Sequence, residues 1–474
     1  MSYEDRPLIQ ALEGFRAKQP VSFHVPGHKN GELSGLPMEL RNALSYDVTE
    51  LTGLDDLHEP SEAILKAEEK LAKLYHSDQS FFLVNGSTVG NLAMLYATVG
   101  RGDTVLVQRN AHKSVFHALE LTGAQAVFLS PLWDERTRSA GGVAAADVKA
   151  ALINFPDVKA AVFTNPTYYG LANKEMREII DVCHAYNVPV LVDEAHGAHF
   201  IVNKGFPEGA LALGADVVVQ SAHKTLPAMT MASFLHVRSD LVNTEKVAHY
   251  LHMLQSSSPS YLLMASLDDA RHYAETYGET DYEELQLYRQ RLLEGLRGID
   301  NIDLIETDDL LKLIIRVKGQ SGFTVQEALE EQGIYSELAD LYQVLLVLPL
   351  VKASHNRGPS EAVNKFKLAA KKLSALESNA VQVSVLEAVS PISAVVYSID
   401  ELQRMKTIWV SFKKAAGKVA GQAVIPYPPG IPLLCAGERI TEGHCRQLQE
   451  LVNADAHFQG AIDLEKMRIQ TVIE

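Results

Sequence analysis

The chain has 474 residues, 47% of them apolar, enough for a large core and longer than a single domain usually runs, yet its apolar stretches fall far short of a bilayer span. A formal charge of −16 argues against a nucleic-acid partner, which wants a basic face. Cys183, Cys435 and Cys445 are an odd set without CxxC spacing, which argues against a disulfide framework or structural zinc and fits a reducing cytoplasm.

The start, Met1-Ser2-Tyr3-Glu4-Asp5-Arg6, lacks the basic head and apolar middle of a secretory leader. Residues 1–60 read as an irregular arm ahead of the main domain. Residues 61–75 place Ile64, Ala67, Leu71 and Leu74 at helical spacing, with Ser61 as the expected N-cap. The period then shortens. Short β-rich runs at 81–84, 104–107, 126–129, 160–164, 190–192 and 217–220 alternate with helix-like segments such as 143–152 and 174–186. The alternation predicts an α/β domain over 61–298, a mostly parallel sheet sandwiched by helices, whose ligands gather where strands end. Strand-like 311–317 and 344–348 and helical 362–376 predict a smaller α+β C-terminal domain over 299–474, subdividing near 390.

Residues just past the strand ends carry the chemistry. Asn85-Gly86-Ser87-Thr88-Val89-Gly90 leads from a strand into an apolar helix, so the amides of Gly86, Ser87 and Thr88 and two hydroxyls form a phosphate seat, unless Ser87 or Thr88 is an ordinary cap. The lysine of a Walker loop is missing. His112 follows the next strand in a matching place, either as a ring partner or as a capping residue. The turn Pro166-Thr167-Tyr168-Tyr169-Gly170 offers tyrosines that pack or line a pocket. Asp193-Glu194-Ala195-His196 matches a helicase acidic box in its letters, but that box needs the absent P-loop; a metal bound by His196 and His199 lacks a third ligand.

Ser221-Ala222-His223-Lys224-Thr225 decides among these readings. A strand ending in a carboxylate, followed by one ending in a lysine, suits pyridoxal 5'-phosphate: the lysine forms a Schiff base and Asp193 keeps the pyridine nitrogen protonated. Burial beside a cationic ring lowers a lysine's pKa far enough for that bond to form.

The segments FHVPGHKNG (23–31), TELTGLDDLH (49–58), NGSTVGN (85–91), NAHKS (110–114), DEAHGAH (193–199), SAHKT (221–225), SSSPSY (256–261) and PYPPGIPLL (426–434) resemble those of the ornithine/lysine/arginine decarboxylase family, pyridoxal phosphate enzymes with the aspartate aminotransferase-like fold (fold type I). With FHVPGHKNG close to its start, the chain is expected to lack the N-terminal wing of longer members and resembles the shorter Gram-positive-type arginine decarboxylases. The resemblance implies that Lys224 bonds the cofactor, Asp193 meets its pyridine nitrogen, His112 stacks on the ring, Ala195 packs the other face and His196 supports the phenolic side. It places Gly86, Ser87, Thr88, Ser221 and His223 around the phosphate, with Ser257 and Ser258 reaching the phosphate of a neighbouring subunit in a homodimer. Glu438 would meet the distal cation of a basic amino acid, and Lys224 or His223 would return a proton to Cα. Arginine is the expected substrate, for polyamine synthesis in the cytoplasm, with lysine or ornithine as alternatives. A cysteine desulfurase using Cys435 and a non-catalytic cofactor-binding protein are the rival readings.

Overall fold

The structure is a computed structural model that describes residues 5–354, 358–377, 390–427, 432–453 and 457–474. The chain forms two compact units, Met1–Thr98 with Pro189–Gly278, and Val99–Val188 with Glu279–Glu474.

In the first unit the strands lie in the order Gln79–Leu83, Ser233–Val237, Val217–Gln220, Val190–Asp193. The last two are parallel, and the other pairings are antiparallel. Val190–Asp193 and Val217–Gln220 are buried at every position, the reason they read as unbroken apolar runs rather than alternating ones. The helix Gly86–Thr98 packs directly on this sheet: a Cβ on Gly90 would stand 2.8 Å from both Leu83 and Val219. That close approach sets the height of the helix N-terminus above the strand ends.

The helix expected over 61–75 runs from Ala63 to Tyr75, and Ser61 does not cap it. Asp55 does so instead, from the preceding loop. Its carboxylate accepts the amides of Ser61 (2.9 Å), Glu62 (2.8 Å) and Ile64 (2.9 Å), because two anionic oxygens satisfy more orphan donors than one hydroxyl. Partial burial opposes the charge, yet these amides hold the Asp55 carboxyl below its ordinary value. Residues 1–60 are also more regular than expected: Pro7–Ala17 is a helix that buries Leu8 and Leu12. The loop after it leaves Val21, Phe23, Val25 and Leu33 exposed, Phe23 by 94%.

In the second unit Val158–Thr164, Thr104–Gln108 and Gln125–Leu129 form a parallel ladder, extended antiparallel by Ile392–Ala394. The helices Lys113–Thr122, Ala145–Asn154 and Met176–Ala185 alternate with these strands. Farther along, Ile302–Glu306, Lys312–Val317, Val344–Val347 and Leu338–Ala339 make an antiparallel sheet, which shares a core with the helices Glu279–Arg297, Gly322–Glu330 and Ser360–Leu373. A last three-stranded sheet packs with Glu442–Asn453. Glu387, in the expected subdivision near 390, lies outside the described residues, as does 428–431 of the PYPPGIPLL segment. Among the described residues no helix is long and apolar enough to cross a membrane.

Candidate active site

Asp193 is the last residue of its strand and lies opposite Val219 on the parallel neighbour. Its Oδ2 accepts from Asn91 Nδ2 at 2.8 Å and its Oδ1 from the Ala195 amide at 3.1 Å. Two donors thus fix a buried carboxylate at the strand end and aim it. The neighbouring strand runs on through Ser221 into the short helix Ala222–Thr225, and Lys224 Nζ comes to 3.0 Å from His196 Nε2. His223 Nδ1 lies 3.0 Å from the Ala232 carbonyl oxygen, a contact that requires the proton on Nδ1. Beside Lys224, the buried Thr225 hydroxyl finds no hydrogen-bond partner among the described residues. His199 sits edge-on to Phe200 and Phe206, both ring centroids at 4.8 Å, so its surroundings are aromatic.

Gly86 opens the helix Gly86–Thr98 with φ +77, a conformation natural to glycine. The turn brings Ser87 to Ser221, Oγ to Oγ 2.9 Å, so hydroxyls from two separate strand ends meet at one helix N-terminus with Thr88 exposed beside them. Gln255 Oε1 accepts the Val84 amide at 2.8 Å, and the Ser256 amide reaches Asn85 Oδ1 at 3.3 Å. The exposed Ser257 and Ser258 therefore belong to a loop tied to this same turn.

His112 and Glu438 belong to the second unit. His112 caps the helix Lys113–Thr122, with Nδ1 accepting the Ser114 amide at 3.3 Å and meeting its hydroxyl at 2.7 Å. Tyr169 is a packing residue: it is buried against Ile314 and Leu345, and its hydroxyl donates to Asp340. The Glu438 carboxylate, expected to meet a substrate cation, is held in a buried bidentate pair by Arg109, with Nη1 to Oε2 at 2.9 Å and Nη2 to Oε1. Ser393 Oγ at 3.1 Å and the Cys435 amide at 3.2 Å complete its shell. Burial alone would raise the carboxyl's pKa, and the Arg109 guanidinium holds it below the ordinary range. Burial pushes the adjacent Cys435 thiol up to about 12, so it carries no thiolate near neutral pH and makes a poor desulfurase nucleophile.

The family model of the Orn/Lys/Arg decarboxylase major domain matches residues 6–306, and that of the same family's C-terminal domain matches 375–462. The chain belongs to the Orn/Lys/Arg decarboxylase family. It is 45% identical to the uncharacterized protein YaaO of Bacillus subtilis over 99% of this chain and 98% of that one. It is 33% identical to an arginine decarboxylase of the same organism over 100% and 99%. The solved lysine decarboxylase LdcF of Francisella novicida shares the fold, with TM-score 0.79, 20% identity and coverage of 99% of this chain and 81% of that one.

This decarboxylase is a pyridoxal phosphate-dependent amino acid decarboxylase of the fold type I class, as expected. Its first unit suits the cofactor: a helix N-terminus ringed by hydroxyls for a phosphate, an oriented carboxylate for a ring nitrogen and a lysine amine past the adjacent strand. Three residues of the decarboxylase escaped the sequence reading. Asn91 was visible as a lone amide on a helix otherwise buried by apolar residues. Arg109 directly precedes the NAHKS segment and carried no signal of its distant partner. Glu194 was noticed only as a letter of an acidic box.

Proposed function

We propose that the chain decarboxylates arginine to agmatine and carbon dioxide in the cytoplasm, supplying polyamine synthesis. The observation that carries the choice of substrate is the end-to-end match to a Bacillus arginine decarboxylase. When bound, pyridoxal phosphate supplies an electron sink for the carbanion left at Cα. Lys224 bonds the cofactor and Asp193 holds a proton at the ring nitrogen, its own orientation fixed by Asn91 and Ala195. His196, 3.0 Å from Nζ, supports the lysine and the phenolic side of the ring. Gly86, Ser87, Thr88, Ser221 and His223 would bind the phosphate, and Ala195 would pack on the ring. Lys224 or His223 returns the proton to Cα.

The active form is a homodimer in which Ser257 and Ser258 serve the partner's phosphate. The uncovered Val21, Phe23, Val25 and Leu33 support this reading, since an exposed apolar group on a large chain is a natural subunit contact. The functional division is an arm over 1–60, a cofactor domain over 61–298 and a C-terminal domain over 299–474. A product assay with arginine, lysine and ornithine tests the substrate: agmatine as the main amine supports arginine, while cadaverine or putrescine overturns it.

A further inference from the structure

Across the first unit runs a line of polar groups, buried except for the half-buried Ser77 at its outer end, that the reaction does not use. Gln220 Nε2 donates to Glu194 Oε2 at 2.7 Å, and Glu194 Oε1 accepts the Ala210 amide at 2.7 Å. Once ionised, above the value of about 8 to which burial raises it, the Glu194 carboxylate only accepts, so the Gln220 amide is turned with its oxygen facing His236 Nε2, 3.2 Å away. That nitrogen must then carry the ring's proton. The bare Nδ1 takes the Ser80 hydroxyl at 2.7 Å, and the Ser80 oxygen, its own proton spent, takes the Ser77 hydroxyl at 2.7 Å. Every donor in the line points toward Glu194.

The surroundings keep the line neutral up to that carboxylate. His236 is fully buried, with Tyr75 stacked on it at 4.4 Å, and burial drives its pKa down to about 3. A glutamine amide does not pass protons readily, so the line orients groups rather than conducting. Its inner end joins the two strand termini of the site. Glu194 follows Asp193, Gln220 precedes Ser221, and the Glu194 amide also donates to the Val219 carbonyl at 2.8 Å. Gly197 is fitted to the same arrangement, since a Cβ there would stand 2.6 Å from Glu194 Cγ.

We propose that Glu194 is a positioning residue: its carboxylate sets the direction of donation from Ser77 through Ser80, His236 and Gln220, and thereby clamps together the strand ends that carry Asp193 and Lys224. The clamp's importance to the cofactor rests on the function proposed above; the direction of the line does not. In Glu194→Gln the new amide can face Gln220 with its nitrogen, and the whole line reverses, moving the His236 proton from Nε2 to Nδ1.

The test is nitrogen NMR of histidine-labelled protein at pH 9, above the value of about 8 to which burial raises Glu194, with His236→Gln to assign the signal. Protonated Nε2 in the wild-type enzyme and protonated Nδ1 in Glu194→Gln are expected. The same tautomer in both, or protonated Nδ1 in the wild type, overturns the proposal, and the wild-type result stands even if the variant does not fold. Gln220→Leu, which cuts the clamp, is expected to release cofactor about tenfold faster, the equivalent of one lost buried hydrogen bond. Unchanged release with an intact visible cofactor band overturns the clamp, whereas a wild-type protein with no such band defeats the cofactor assignment instead.

Discussion

Single side chains in this protein work by being aimed. Lys224→Ala is expected to abolish turnover and the visible band of bound cofactor; turnover at the wild-type rate in that variant would refute the lysine assignment. Asn91→Leu keeps the helix but removes a donor from the Asp193 carboxylate, so cofactor affinity should fall about tenfold with little change in melting temperature, measured by titrating apoenzyme. Glu68 shows what burial without aim does. Burial raises its carboxyl from 4.5 to about 8, the Phe82 amide being its main relief at 2.8 Å. Between those values the folded state holds a proton that the unfolded chain gives up, so stability is greatest below the window and falls as pH climbs through it. Glu68→Gln should flatten that decline by an amount on the order of a few kcal/mol, read from denaturant titrations at pH 5 and pH 8. Asp193 and Lys224 were legible as residues because Asp193 ends a strong β run and Lys224 follows closely on another. Asn91 and Glu194 were not, since their importance lies in partners on other elements.

At the scale of elements, the helix Gly86–Thr98 is held by contact and the helix Ala63–Tyr75 by its end. Gly90→Ala would push a methyl into Leu83 and Val219 and lift the phosphate seat, a cost of about 1–3 kcal/mol that should appear as a lower melting temperature together with weaker cofactor retention. The strands were legible almost to the residue where burial on both faces wrote continuous Val, Leu and Ala runs, as in Val217–Gln220. Ser233–Val237 escaped because Ser233 and His236 break its apolar pattern, and His236 is tolerated there only because Ser80 and Gln220 satisfy it. Ser61 looked like a cap for the same kind of reason: local spacing finds a hydroxyl at the right place and has no view of the Asp55 side chain folding back over the helix end.

At the scale of the whole molecule, the Arg109 and Glu438 pair is the feature that most changes the sequence reading. If Glu438 gripped a substrate cation, Glu438→Gln would raise KM and spare the fold. The buried guanidinium predicts the opposite: about 3–5 kcal/mol of lost stability with KM for arginine little changed among molecules that remain folded, measured by thermal melting beside steady-state kinetics. The fold class and cofactor were legible because motifs for both are spread along the chain. This pair was not, because 329 residues separate its members and no local pattern spans them.

That separation has a consequence for biosynthesis. During translation Arg109 leaves the ribosome long before its counter-ion exists, a delay on the order of tens of seconds at ordinary elongation rates. Until then the guanidinium has every reason to stay in water, and the ladder that carries it cannot close around an unmatched cation. Final consolidation of the second unit therefore waits for residue 438, and a nascent chain stalled before it should remain a client of chaperones and proteases however complete its earlier strands are.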